Sequence, residues 1–347
     1  MKTFSINKLT RKNVLEMKSY ASARDEFQDF SEKMIFLDAN ENPFDTGLNR
    51  YPDPKQKQLK KLFSKIKYVP ESNIIFGNGS DELLDLVFRA FCEPNRDAVI
   101  TLPPTYGMYG VLANLNAIEN REILLDSNFE PDTKEILNAV DANTKIIFLC
   151  SPNNPTGNSF SEENISEILN NFNGLVLIDE AYIDFSSKES WLQKISDYPN
   201  LIVLQTVSKA IGLAGIRLGI LYANAPIIAI LDKIKPPYNV NELTQQKAFD
   251  TVSDLERIKS DVGKIIYGRN FLQNEFAKIN FIKRIYPTDA NFILIKVDDS
   301  EKRYAQLIEK KVVVRNRSNQ PGCENCLRIT VGTDEENTKL IQILNEL

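Results

Sequence analysis

Short β-branched runs alternate with longer helix-period segments along most of this chain, and that alternation narrows its folds more than any other feature. NIIF (73–76), DAVITL (97–102), REILL (121–125), KIIFLC (145–150), GLVLID (174–179), LIVLQT (201–206) and LGILYA (218–223) read as buried strands. Between them, segments such as DELLDLVFRAFCE (81–93) and SEENISEILNNF (161–172) carry apolar residues at helical spacing. The pattern predicts an α/β fold: a mostly parallel sheet sandwiched by helices. Runs 201–206 and 218–223 lie close together, so one of them is expected to run against its neighbours. After Pro236-Pro237 the pattern changes to a helical stretch reaching about residue 280. Strands NFILIKV (291–297), VVVR (312–315) and LRITV (327–331) follow, with helices at 300–310 and 334–347. A chain of 347 residues is long for one core. The expected organisation is an N-terminal arm over 1–37 belonging with the small domain, a large domain over 38–236, and a small α+β domain over 237–347.

Composition removes whole classes of chemistry. The chain contains no histidine, which closes every Ser-His-Asp, Cys-His or His-metal mechanism. Acid–base work must run on Lys, Tyr, Asp, Glu, Cys or a cofactor. A formal net charge of -5 argues against a nucleic-acid partner. No apolar run reaches bilayer length, and MKTFSINKLTRKNV has no apolar signal-peptide core, so no membrane partner and a cytoplasmic location are expected. Cys323 and Cys326 form a CxxC, yet no second CxxC accompanies it. The spacing is therefore read as chance in a surface loop before LRITV, and no metal is expected.

Four segments carry chemistry. GNGSDE (77–82) stands between a strand and a helix, with glycines that permit close backbone approach and Ser80 at an anion-favouring helix start. SPNNPTG (151–157) follows a strand, at the end where α/β sheets place ligands. DEAYIDF (179–185) ends the next strand on Asp179, a carboxylate that is costly to bury without a cationic partner. In TVSKAIGLAGIRLGI (206–220), Lys209 sits among small and hydroxylic residues, a setting that depresses a lysine pKa and suits imine chemistry. Together they offer a carboxylate for a protonated pyridine nitrogen, a lysine for an aldehyde, and a helix start plus Arg217 for a phosphate. Asn154 and Tyr182 add donors for a phenolate oxygen.

These motifs, in this order, resemble the fold type I pyridoxal-phosphate aminotransferases, and within them the histidinol-phosphate aminotransferases, over nearly the whole chain. SYASAR (19–24), DANENPF (38–44), NRYPDP (49–54), PPTYGMY (103–109), DANF (289–292) and LRITVG (327–332) extend the likeness. The resemblance implies pyridoxal 5′-phosphate bound to Lys209, with Asp179 on the pyridine nitrogen and Tyr182 and Asn154 on the ring oxygen. It implies Tyr106 stacked on the ring and Ser80, Asp81, Thr206, Ser208 and Arg217 around the phosphate, with Tyr51 arriving from the partner subunit of a homodimer. Arg328 is implied as the anchor for the substrate's anionic end, helped by Tyr20, Asn42 and Arg315 or Arg317. The implied reaction passes an amino group between L-histidinol phosphate and 2-oxoglutarate, giving imidazole-acetol phosphate and L-glutamate, a step of histidine biosynthesis. An aromatic amino-acid aminotransferase and a threonine-phosphate decarboxylase share this scaffold and motif set.

Overall fold

The computed structural model describes residues 4–20 and 35–347. Seven strands form the larger sheet: β1 (Ile74–Asn78), β2 (Ala98–Thr101), β3 (Glu119–Glu122), β4 (Thr144–Cys150), β5 (Leu175–Asp179), β6 (Leu201–Thr206) and β7 (Leu218–Ala223), in the order β1-β7-β6-β5-β4-β2-β3. Six strands, β1–β6, point the same way, and β7 alone runs antiparallel, between β6 and β1. The short link after β6 cannot hold a helical crossover, so β7 must return the other way. The third strand differs from expectation. It takes the polar ENRE at 119–122, because edge pairing with β2 sets the register there and the apolar run mostly lies beyond it.

Strand residues alternate between two apolar layers. Odd positions of β5, Leu175 and Leu177, pack with α4 (Ser80–Phe91), α5 (Met108–Leu115) and α8 (Ala225–Ile234). Even positions, Val176 and Ile178, face α3 (Lys57–Lys67), α6 (Thr133–Asn138), α7 (Glu162–Asn171) and α9 (Glu242–Val252). This parity puts Asp179 on the α4–α5 side and Glu180 on the other. The short helices α1 (Ile6–Leu9) and α2 (Lys12–Glu16) lie against the same α4–α8 layer: Phe4, Ile6 and Leu9 pack there, and Arg11 bonds Glu93 at 3.2 Å. Residues 4–16 thus attach to the large sheet, not to the small one expected to hold the arm. The rest of SYASAR after Tyr20 falls outside the described residues.

A second, antiparallel sheet has the order β10-β11-β9-β8, built from β8 (Ile282–Ile285), β9 (Phe292–Val297), β10 (Arg315–Asn316) and β11 (Cys326–Thr330). Its core is shared with α10 (Leu255–Phe276), α11 (Ser300–Glu309) and α12 (Asp334–Asn345). The helical stretch after Pro237 is two helices, because Asp254 caps a new one through Arg257 N at 3.1 Å. Of VVVR only Arg315 is paired, and the strand's second residue is Asn316 beyond it. Among the described residues no helix is long and apolar enough to cross a membrane.

Candidate active site

Parallel strands β4, β5 and β6 end side by side on Cys150, Asp179 and Thr206. A cavity of ≈ 130 Å³ opens over these ends, lined by Ser80, Asp81, Tyr106, Asn154, Asp179, Tyr182, Thr206, Ser208, Lys209 and Arg217, with Cys150, Ala181 and Ala214. The first ten are residues that the sequence motifs single out. Strand order alone explains their meeting: residues some 130 positions apart become neighbours because the chain returns to the same sheet edge after each crossover.

Asp179 is 4% exposed. Tyr109 Oη donates to its Oδ2 at 2.8 Å and Ala181 N donates to its Oδ1 at 3.0 Å. Burial nonetheless pushes the carboxyl up to about 6, with those two bonds and the Lys209 cation opposing. A buried carboxylate without an adjoining salt bridge is a standing demand for a cation. Lys209 is reached through the open cavity, yet the protein packed around it lowers its proton affinity. The Arg328 cation lowers it further, and Asp179 partly restores it. Lys209 lies in the turn after β6 with Nζ 5.6 Å from the Tyr182 ring centroid. Burial likewise raises the Tyr182 phenol.

The anion cradle forms where α4 begins. Gly79 has φ 79, and Arg217, also left-handed at φ 55, carries the carbonyl that accepts from Gly79 N at 2.9 Å. A Cβ on Gly219 would stand 2.4 Å from Ser80 N, so only glycine lets β7 pass this close to the helix start. The first-turn N–H groups, the Arg217 guanidinium and the Thr206 and Ser208 hydroxyls (3.0 Å apart) surround this end of the cavity. Asp81 meets Arg217 Nη2 at 3.6 Å and accepts from Tyr106 Oη at 3.0 Å. The donor set fits pyridoxal phosphate: a buried acid for the ring nitrogen, a desolvated lysine for the aldehyde, and a cationic helix start for the phosphate.

Arg328 approaches from the second sheet, bonded to Asn154 and lying over the Phe292 ring at 5.1 Å. In the β10–β11 ribbon it stands directly opposite Arg315, and Arg317 follows two residues on, so all three share one face. Like charges facing across a ribbon repel, and among the described residues none of the three has an ion-pair partner. Nε of Arg317 and of Arg328 is buried without an acceptor. Burial and mutual repulsion hold both guanidiniums below their ordinary proton affinity. Arg317 is half-buried and Arg315 exposed.

Other residues singled out by the sequence stand apart. Tyr20 is 73% exposed, Asn42 bonds within its own loop through Phe44 N at 3.0 Å, and Tyr51 stacks on Tyr238 at 4.5 Å. None of these three lines the Lys209 cavity of its own chain. Cys323 and Cys326 are both fully buried, which corrects the expected surface loop: the turn folds inward, with Cys326 N bonded to Cys323 O at 2.9 Å. Cys150 and Tyr109 join the site although no sequence motif assigns them a role there. Tyr109 stands in the first turn of α5, and its ring meets the Tyr106 ring edge-on at 5.6 Å.

The family model for aminotransferase class I and II matches residues 25–344. Curated histidinol-phosphate aminotransferases from Flavobacterium johnsoniae and Flavobacterium psychrophilum are 63% and 62% identical, each alignment covering 100% of both chains. The crystal structure of the histidinol-phosphate aminotransferase from Clostridium acetobutylicum superposes with a TM-score of 0.80 at 26% identity, covering 87% of this chain and 92% of that one. With full-length identity at this level and a cavity of matching chemistry, the chain belongs to the class I and II aminotransferases, in the histidinol-phosphate aminotransferase group.

Proposed function

We propose that this chain transfers the amino group of L-histidinol phosphate to 2-oxoglutarate, with pyridoxal 5′-phosphate held in the Lys209 cavity. The observation that carries this is the placement of a buried Asp179, a desolvated Lys209 and an anion cradle around one cavity, with Arg328 on its Asn154 side and Arg315 and Arg317 on the same ribbon, none of the three ion-paired among the described residues. When bound, pyridoxal phosphate would supply an electron-withdrawing ring that acidifies the substrate's α-carbon. The residues do the rest. Asp179 holds a proton on the ring nitrogen, Asn154 and Tyr182 face the ring oxygen, and Tyr106 covers the ring. Lys209, whose lowered proton affinity favours the free amine, carries the α-proton at Nζ. Ser80, Asp81, Thr206, Ser208 and Arg217 fix the phosphate end.

Both amino donors end in an anion, glutamate in carboxylates and histidinol phosphate in a near-dianionic phosphomonoester. Arg328 suits either through its planar fork, and Arg315 and Arg317 add the charge a phosphate requires. Arg328→Ala should therefore impair both half-reactions. Arg315→Ala or Arg317→Ala should weaken histidinol phosphate more than glutamate by about 1–3 kcal/mol, the larger loss at the less exposed Arg317. Half-reaction titrations with each donor measure this, and equal losses for both donors would remove these two arginines from the phosphate role.

The proposal includes a cytoplasmic homodimer in which Tyr51 reaches the partner's cavity. Its support is that Tyr51 is half exposed, lies outside its own chain's cavity and shares a surface groove with exposed Leu48 and Leu243. Mixing Lys209→Ala with Tyr51→Phe chains should give hybrids with one doubly defective and one intact site, so activity should exceed the parental mean. Strictly additive activity after verified subunit exchange would contradict the crossing. The proposed division is an arm, a large domain and a small domain (1–37, 38–236 and 237–347); the two separate sheets support it, while residues 4–16 and α9 pack on the large sheet and move its edges there.

Steady-state assays test the reaction itself. Glutamate should form from histidinol phosphate and 2-oxoglutarate, without carbon dioxide and faster than with phenylalanine as donor. Carbon dioxide release without a keto acid would instead indicate a decarboxylase.

A further inference from the structure

We infer that Tyr109 is a positioning residue for this reaction: its hydroxyl fixes the Asp179 carboxylate and keeps it ionised toward the cavity. The inference rests on the proposal that Asp179 meets the ring nitrogen of pyridoxal phosphate. Tyr109 is fully buried, and its hydroxyl donates to Asp179 Oδ2 at 2.8 Å. Its ring cannot swing away, because Phe148 stacks on it (5.0 Å between centroids, 17° between planes) and Tyr106 meets it edge-on at 5.6 Å.

The groups facing Asp179 are Asp81 from α4, Tyr106 from the loop before α5, Tyr109 from the first turn of α5, Cys150 from β4, and Tyr182 and Lys209 from the turns after β5 and β6. Tyr106 is committed to Asp81. Tyr109 is thus the side chain that donates a hydrogen bond to this carboxylate. The bland alternative is that a core tyrosine merely needed an acceptor. Tyr222 argues against it, since its buried hydroxyl has no partner among the described residues and the core accommodates it.

The test uses Tyr109→Phe, with Tyr222→Phe as the control that loses a buried hydroxyl elsewhere. Burial raises the Asp179 carboxyl from its ordinary 3.8 to about 6, with Tyr109 opposing. The native cofactor-free protein therefore binds more protons than the unfolded chain between those values, and Asp179's contribution to stability falls as pH rises through that window. Glu180, also near 6, sits on the opposite face and contributes alike in all three proteins. In Tyr109→Phe the window should extend upward by roughly one unit. Its Tm deficit relative to wild type should then widen between about pH 6 and 7.5, while Tyr222→Phe runs parallel to wild type. Tyr109→Phe should also bind pyridoxal phosphate about tenfold more weakly near neutral pH, with unchanged affinity for an analogue carrying carbon in place of the ring nitrogen. A pH-independent Tm offset with unchanged cofactor affinity would overturn the inference. Equal wild-type affinity for cofactor and analogue would instead count against the Asp179 pairing itself.

Discussion

Replacing Lys209 by alanine should leave a folded protein that still takes up pyridoxal phosphate but turns over amino donors more slowly by about 10³-fold or more. The phosphate cradle of Ser80, Thr206, Ser208 and Arg217, with Asp179 on the other side of the cavity, contains no contribution from Lys209, so uptake survives. Two functions disappear together: the covalent attachment and the base that moves the α-proton. Arginine cannot restore either, because a guanidinium neither condenses with an aldehyde nor loses its proton readily. A variant with wild-type turnover and no added amine would place the reacting lysine elsewhere.

Asp179→Asn should reduce turnover by at least about a hundredfold, the order expected for removing a charge aimed into a desolvated site. The amide is nearly isosteric, its oxygen can accept from Ala181 N and its NH2 can donate to the Tyr109 hydroxyl, so packing is kept. Stability should move the other way. Above about pH 6 the wild-type cofactor-free protein holds a buried carboxylate charge, and the neutral amide removes that cost. The variant should therefore melt higher than wild type at pH 7.5, with the gain shrinking toward pH 5, where the wild-type acid is protonated. Loss of activity with gain of stability marks a residue kept for chemistry rather than for folding. Near-normal turnover would show that another acid holds the ring nitrogen.

Much of the site was legible because chemistry and topology coincide in this fold class. Apolar runs continuous enough to be covered on both faces mark parallel strands, and their carboxyl ends are where Asn154, Asp179 and Thr206 stand. Legibility stopped where distant contacts decide. Glu119–Glu122 is polar and pairs only because β2 offers an edge, and Ile282–Ile285 forms a strand against β9 without an apolar run of its own. Tyr109 resembles any aromatic on a helix until β5 brings Asp179 to its hydroxyl. Cys323 and Cys326 sit in a polar-looking loop, but their thiols turn inward beside Tyr286. The sharing of one face by Arg315, Arg317 and Arg328 depends on β10–β11 register, which local pattern does not specify.

The most direct measurement is the absorbance spectrum of the purified, pyridoxal phosphate-loaded protein as L-histidinol phosphate is added without any keto acid. The cofactor's aldehyde-form band should be lost stoichiometrically in favour of the amino form and return on adding 2-oxoglutarate, and the change should be faster than with L-phenylalanine at equal concentration. An unchanged spectrum, or faster conversion by phenylalanine than by histidinol phosphate, would contradict the account.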